Sequence, residues 1–228
     1  MFSYVINNPN NFVIKNDYFI IPFGHRCTSA LACKYANIRK CSLPFDWCFT
    51  LFPNKIQKVL ENNFDDFIPN VHNGIFHNKY GFELAHFNTD INKGIEEYKR
   101  RIDRFIDIIN QPKKIYFVYI DEDYLGSKSY REDEFNDKIF NEMLELEKFI
   151  KCKYINIDYN VLYINFKHHN IPRNSNIINI VVHPTNLYDT PSSEQCWNFR
   201  YYCGKILAEL FNISLTLNFK PDVNIYNN

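Results

Sequence analysis

The chain has no excess of either charge: 26 basic residues balance 26 acidic ones across 228 positions. It therefore lacks a global electrostatic footprint for nucleic acid or an anionic membrane, and neither is expected as a partner. Long apolar runs are also missing, since none approaches the ~20 residues of a membrane span. Neither G-x-G-x-x-G nor G-x-x-x-x-G-K-[ST] occurs, which removes the standard dinucleotide and phosphate loops, and no cofactor is expected. The seven cysteines, at 27, 33, 41, 48, 152, 196 and 203, are an odd number without a C-x-x-C pair. His168-His169 lacks the ligand spacing of a structural zinc site, so no metal is expected either. With no signal peptide recognisable ahead of them, the thiols read as the reduced thiols of a soluble cytoplasmic protein.

What the chain does contain is aromatic and alternates between two periodicities. Against 6 Gly stand 21 Phe and 16 Tyr, and 228 residues are enough for one well-buried domain spanning 1–228. Apolar runs at 18–23, 114–120, 161–166 and 177–182 read as buried strands. Residues 75–87 read as a hairpin turning at 78–81, and 213–219 as an edge strand. Helical spacing covers 53–62, 91–110, 132–150 and 194–211, with Ile91, Ile95, Tyr98, Ile102, Phe105, Ile106 and Ile109 as the apolar stripe of the second. Buried strands alternating with amphipathic helices predict an α/β domain, a mostly parallel sheet flanked by helices. Ligands in that architecture bind beyond the carboxyl ends of the strands, where Cys27, Asp121, His168 and His183 each follow one.

Residues 18–47, YFIIPFGHRCTSALACKYANIRKCSLPFDW, bring strand, glycine turn, cysteine and helix into immediate succession. Gly24 permits a sharp turn, Thr28 and Ser29 are N-cap candidates, and Cys27 falls at the helix N-terminus. The helix dipole and the flanking His25 and Arg26 are expected to favour the thiolate there. The competing reading makes Cys27 one more small buried hydrophobe.

Gly24-x-x-Cys27-x-x-Ala30, then Ile38-Arg39 and Ser42-Leu43-Pro44-Phe45-Asp46-Trp47, resembles the opening signature of a family from bacteria and large DNA viruses described as papain-like cysteine peptidases. Arg100-Arg101-x-x-Arg104-Phe105 resembles the same family. The resemblance implies a cysteine-dependent hydrolase, a papain-like α+β fold as the alternative architecture, and a viral setting in host cytoplasm or virion, which Asn-, Ile- and Lys-rich usage also suits.

Cys27 is then the nucleophile, with His183 or His86 as base and Asp46 or Asp121 as orienting carboxylate. Arg26, Trp47, Arg100 and Arg104 are the candidate substrate-binding residues, for a peptide or a small acyl or anionic substrate. Two other readings stand beside it. One is a transferase or anion-binding protein that uses Arg100 and Arg104, one helical turn apart, and the other is a non-catalytic viral interaction protein.

Overall fold

The structure, a computed structural model, describes residues 2–7, 14, 17–50, 52–68, 70–72, 75–84, 87–88, 90–122, 133–184 and 193–213. Its main sheet holds β1 (Phe2–Asn7), β2 (Tyr18–Gly24), β7 (Lys114–Ile120), β8 (Tyr159–Asn165) and β9 (Ile177–Pro184), in the order β1-β9-β8-β7-β2. β2, β7, β8 and β9 are mutually parallel, and β1 lies antiparallel on β9. The expected four core strands are these four, so the sheet is mixed but mostly parallel. A smaller antiparallel sheet, ordered β3-β6-β5-β4, is built from β3 (Cys48–Phe49), β4 (Asn70–His72), β5 (Ile75–His77) and β6 (Glu83–Leu84). β5 and β6 form the expected hairpin, with His77 opposite Glu83 and the side chain of Asn78 accepting from the N–H groups of Tyr80 and Phe82.

Helices cover both faces of the main sheet. α1 (Thr28–Tyr35) and α5 (Ser193–Leu210) bury Ala32, Cys33, Phe199, Cys203 and Leu207 against Ile20, Val118, Ile120 and Leu162. α2 (Pro53–Glu61), α3 (Ile91–Ile109) and α4 (Asp133–Lys153) pack on the other face, over Phe23, Phe117, Tyr119 and Tyr163. Alternation along each strand sends successive side chains to opposite layers, so the all-apolar runs fill two cores at once. Among the described residues no helix is long and apolar enough to cross a membrane.

The connection leaving β2 leads to α1 on one face, and that leaving β7 leads to α4 on the other. The chain therefore parts at the carboxyl ends of these two neighbouring strands, which is where open α/β sheets form their crevice.

Two expectations change. Thr28 and Ser29 do not cap α1; Cys27 holds the N-cap position without a side-chain cap, and both hydroxyls serve other partners. The buried face of α3 is Gly94, Tyr98, Arg101, Phe105, Ile108 and Ile109, while Ile91 and Ile106 are exposed. The apolar residues of α3 span more of its circumference than one contact can cover, and the neighbouring Phe45 and Phe87 select the side. Beyond Ile213, the edge strand expected at 213–219 lies outside the described residues.

Candidate functional site

β2 ends in a turn with two consecutive left-handed residues, Gly24 at φ 89° and His25 at φ 81°. Glycine is required at the first because an added Cβ would sit 2.9 Å from Thr50 Oγ1. The second is a buried histidine in a conformation that L side chains avoid. It is held there by its N–H donating to Thr50 Oγ1 at 2.9 Å, with Nδ1 3.2 Å from the Tyr119 hydroxyl. Ser29 Oγ donates to the Gly24 carbonyl at 2.8 Å and accepts from Ile120 N–H at 3.1 Å, which ties the turn to the end of β7. Arg26 and Cys27 are thereby delivered to the first turn of α1.

The feature beside Cys27 is an ion pair. Glu122, just beyond β7 and 5% exposed, accepts two hydrogen bonds from Arg200 of α5, Nε and Nη2 each at 2.9 Å. The Thr28 hydroxyl donates to the same carboxylate, and Arg26 Nε lies 3.8 Å away. Burial acts to raise the Glu122 carboxyl, but Arg200 and Thr28 outweigh it and hold the group below its ordinary value. Arg200 in turn lies over the Trp197 ring at 5.0 Å.

Cys27 is 8% exposed. Burial pushes its thiol up to about 11; Glu122 adds to the rise, and Arg200, a backbone N–H and Arg26 oppose it. The thiolate expected from the helix dipole is thus not the resting form. Desolvation of the anion outweighs both guanidinium groups and the helix terminus. All seven cysteines are free thiols.

The other candidates are spread through the fold. Asp121 is buried on the opposite layer from Glu122, near the Tyr163 hydroxyl whose ionisation it opposes. Asp46 is buried in its own turn, accepting from Arg39 Nε at 2.9 Å and Leu43 N–H at 3.0 Å. Trp47 stacks under the Arg39 guanidinium at 5.5 Å. The S-L-P-F-D-W string thus acts on architecture: Arg39 and Asp46 clamp its turn, Phe45 sits in an aromatic cluster with Phe64 and Phe105, and Arg104 Nη1 donates to the Ser42 carbonyl at 3.0 Å.

Arg100 is exposed and Arg104 is committed to Ser42, so they do not form the expected pair of cations around one anion. The buried guanidinium of α3 is Arg101, paired with Glu97 and lying over Tyr98. His183 is exposed near the end of β9, opposite Ser3. β9 is three strands from β2, roughly 14 Å at ~4.8 Å per strand, so His183 is not brought to Cys27. His168 is exposed as well, and His86 lies outside the described residues.

Glu122 and Arg200 are the site residues that the sequence pattern did not single out, whereas Thr28 and His25 were expected beside the thiol in other roles, as a helix cap and as a positive charge. Parity along β7 carries the signal for the first: Val118 and Ile120 face the α1 layer, so Glu122 does too, whereas Asp121 faces away. Nothing local marks Arg200, which reaches Thr28 and Glu122 only through the packing of α5 on α1. Among the described residues no group of His, Cys, Asp or Glu is placed to hold a metal ion. Comparison of the chain with family models, with curated proteins and with solved structures gave no match.

Proposed function

We propose that the chain is a cysteine-dependent hydrolase whose nucleophile is Cys27, resting as a neutral thiol and deprotonated only as a carbonyl substrate arrives. One observation carries this reading: the thiol sits at the N-terminus of α1, just beyond the carboxyl end of β2, beside the buried Arg200–Glu122 pair. Sγ would attack the carbonyl carbon while its proton passes to a base, and a thioester would form as the leaving group departs with a proton. Water would then release the acid and restore the thiol. The first-turn N–H groups of α1 are the donors nearest a developing oxyanion, and Arg200 is the cation best placed to favour the sulfur anion. Of the two candidate bases, His86 or His183, His86 is the first to test, because His183 stands on a strand three away from β2.

The test is intact-mass analysis after treatment with p-nitrophenyl acetate and with a peptidyl acyloxymethyl ketone. A single adduct at Cys27 is expected, absent in Cys27→Ala and slowed at least tenfold in His86→Ala. Adducts confined to exposed Cys152 would overturn the reading. Arg26 and Arg200 facing the one carboxylate of Glu122 also favour a second reading, a transferase or anion-binding protein using the same crevice. Tight phosphate or carboxylate binding that survives Cys27→Ala would select it.

A further inference from the structure

Cys27 is not the only thiol at the Arg200–Glu122 pair. Cys196 stands on α5 one turn before Arg200 and on the same face, the face from which Arg200 reaches Thr28 and Glu122. α1 and α5 run parallel, each following a strand of the parallel set and packing on the same side of the sheet. They meet in backbone contact at Gly204, where an added Cβ would lie 2.7 Å from Tyr35 Cβ and 3.2 Å from the Ala32 carbonyl oxygen. Such contact puts their axes at the short end of the roughly 8–10 Å range of packed helices. Cys27 continues α1 with helical dihedrals, φ −61° and ψ −10°. Equal steps toward the N-terminus from Tyr35 and from Gly204 therefore reach Cys27 and Cys196 at one level. The Thr28–Arg200 hydrogen bond of 3.2 Å links the two helices at this end. Burial raises both thiols; Glu122 raises them further and Arg200 draws them back.

We infer that Cys27 and Cys196 are a modification site: they form a reversible intramolecular disulfide when the protein meets a low-molecular-weight disulfide such as oxidised glutathione. Cys196, more exposed than Cys27, meets the reagent first. Its thiolate attacks one glutathione sulfur, an S–S bond forms to Cys196, and one glutathione leaves, taking up the proton that Cys196 lost. Cys27 then loses its proton, attacks Cys196 Sγ and expels the second glutathione as a thiol. Two protein thiols are oxidised to one disulfide while the reagent is reduced to two thiols. Cys48, the competing partner, is fully buried with its S–H donating to the Pro44 carbonyl at 3.2 Å. The disulfide removes the only sulfur of the crevice proposed to attack a carbonyl, yet its formation is read without any hydrolytic activity.

The experiment is incubation of the full chain with oxidised glutathione at mildly alkaline pH, alkylation of the remaining thiols, and peptide mapping without reduction. A crosslinked peptide joining 27 to 196 is expected, reversed by dithiothreitol. Cys196→Ser abolishes the crosslink, Cys27→Ser leaves glutathione stranded on Cys196, and Glu122→Gln closes the bond several-fold faster because the opposing carboxylate is gone. A Cys27–Cys48 crosslink, glutathione persisting on Cys196 in the unsubstituted chain, or two unmodified thiols would each overturn the inference.

Discussion

At the scale of the residue, Cys27 is governed by desolvation. A thiolate in the crevice loses water on nearly all sides, and Arg200, already engaged by Glu122, returns only part of that loss. Labelling of the folded protein with iodoacetamide across pH should therefore show exposed Cys152 reacting readily and buried Cys27 lagging behind it. Cys27 should titrate near 11. Glu122→Gln should lower that apparent value. A Cys27 that labels faster than Cys152 at neutral pH would mean that the guanidinium groups and the helix terminus dominate after all. The neighbouring His25 shows the same economy of space: its left-handed backbone persists because Thr50 and Tyr119 both grip it.

At the scale of the element, the site depends on α5 lying tightly against α1, since Arg200 belongs to neither β2 nor β7 and arrives only through that contact. Gly204 makes the approach possible. Gly204→Ala places a Cβ 2.7 Å from Tyr35 Cβ, and the helices must part. The expected cost is about 1–3 kcal/mol from overpacking, seen as a Tm lower by roughly 2–4 °C per kcal/mol. Glutathione-driven closure between 27 and 196 should slow in parallel. An unchanged Tm would mean that the two helices do not touch there. α3 makes the complementary point, because Arg101 occupies a buried position where periodicity alone would place isoleucine. Its guanidinium lies 4.7 Å over the Tyr98 ring and pairs with Glu97, which makes burial tolerable.

At the scale of the whole molecule, acid sensitivity should come in part from His169, in the segment between β8 and β9. Its ring stacks on Phe140 at 4.1 Å, and burial lowers its pKa to about 4, while Asp137 opposes the fall and Lys167 and His168 add to it. The unfolded chain takes up this proton near 6.5 and the folded chain only near 4, so stability is full above 6.5 and declines as pH falls through that window. Urea unfolding midpoints should drop between these limits for the natural chain and drop less for His169→Gln. Equal slopes for the two proteins would remove His169 from the account. Glu122 acts in the same direction at lower pH: its depressed carboxyl contributes stability above its ordinary value, and that contribution is lost on acidification.

Periodicity and local turn chemistry determined much of this from the sequence alone. The four core strands, the helices expected at 53–62, 91–110 and 132–150, the hairpin turning at 78–81 and the placement of Cys27 after a glycine turn are all local consequences of side-chain spacing and backbone freedom, and the structure has each of them within a few residues. Only the tertiary structure decided which charges meet the thiol. Asp121 and Glu122 are adjacent in sequence but belong to opposite layers, Arg200 comes from the far end of the chain, and His183 ends three strands from β2. Strand order, layer assignment and helix contact set those distances, and desolvation in the resulting crevice reverses the thiol's expected ionisation, because the cost of burying an anion is fixed by the whole surrounding packing.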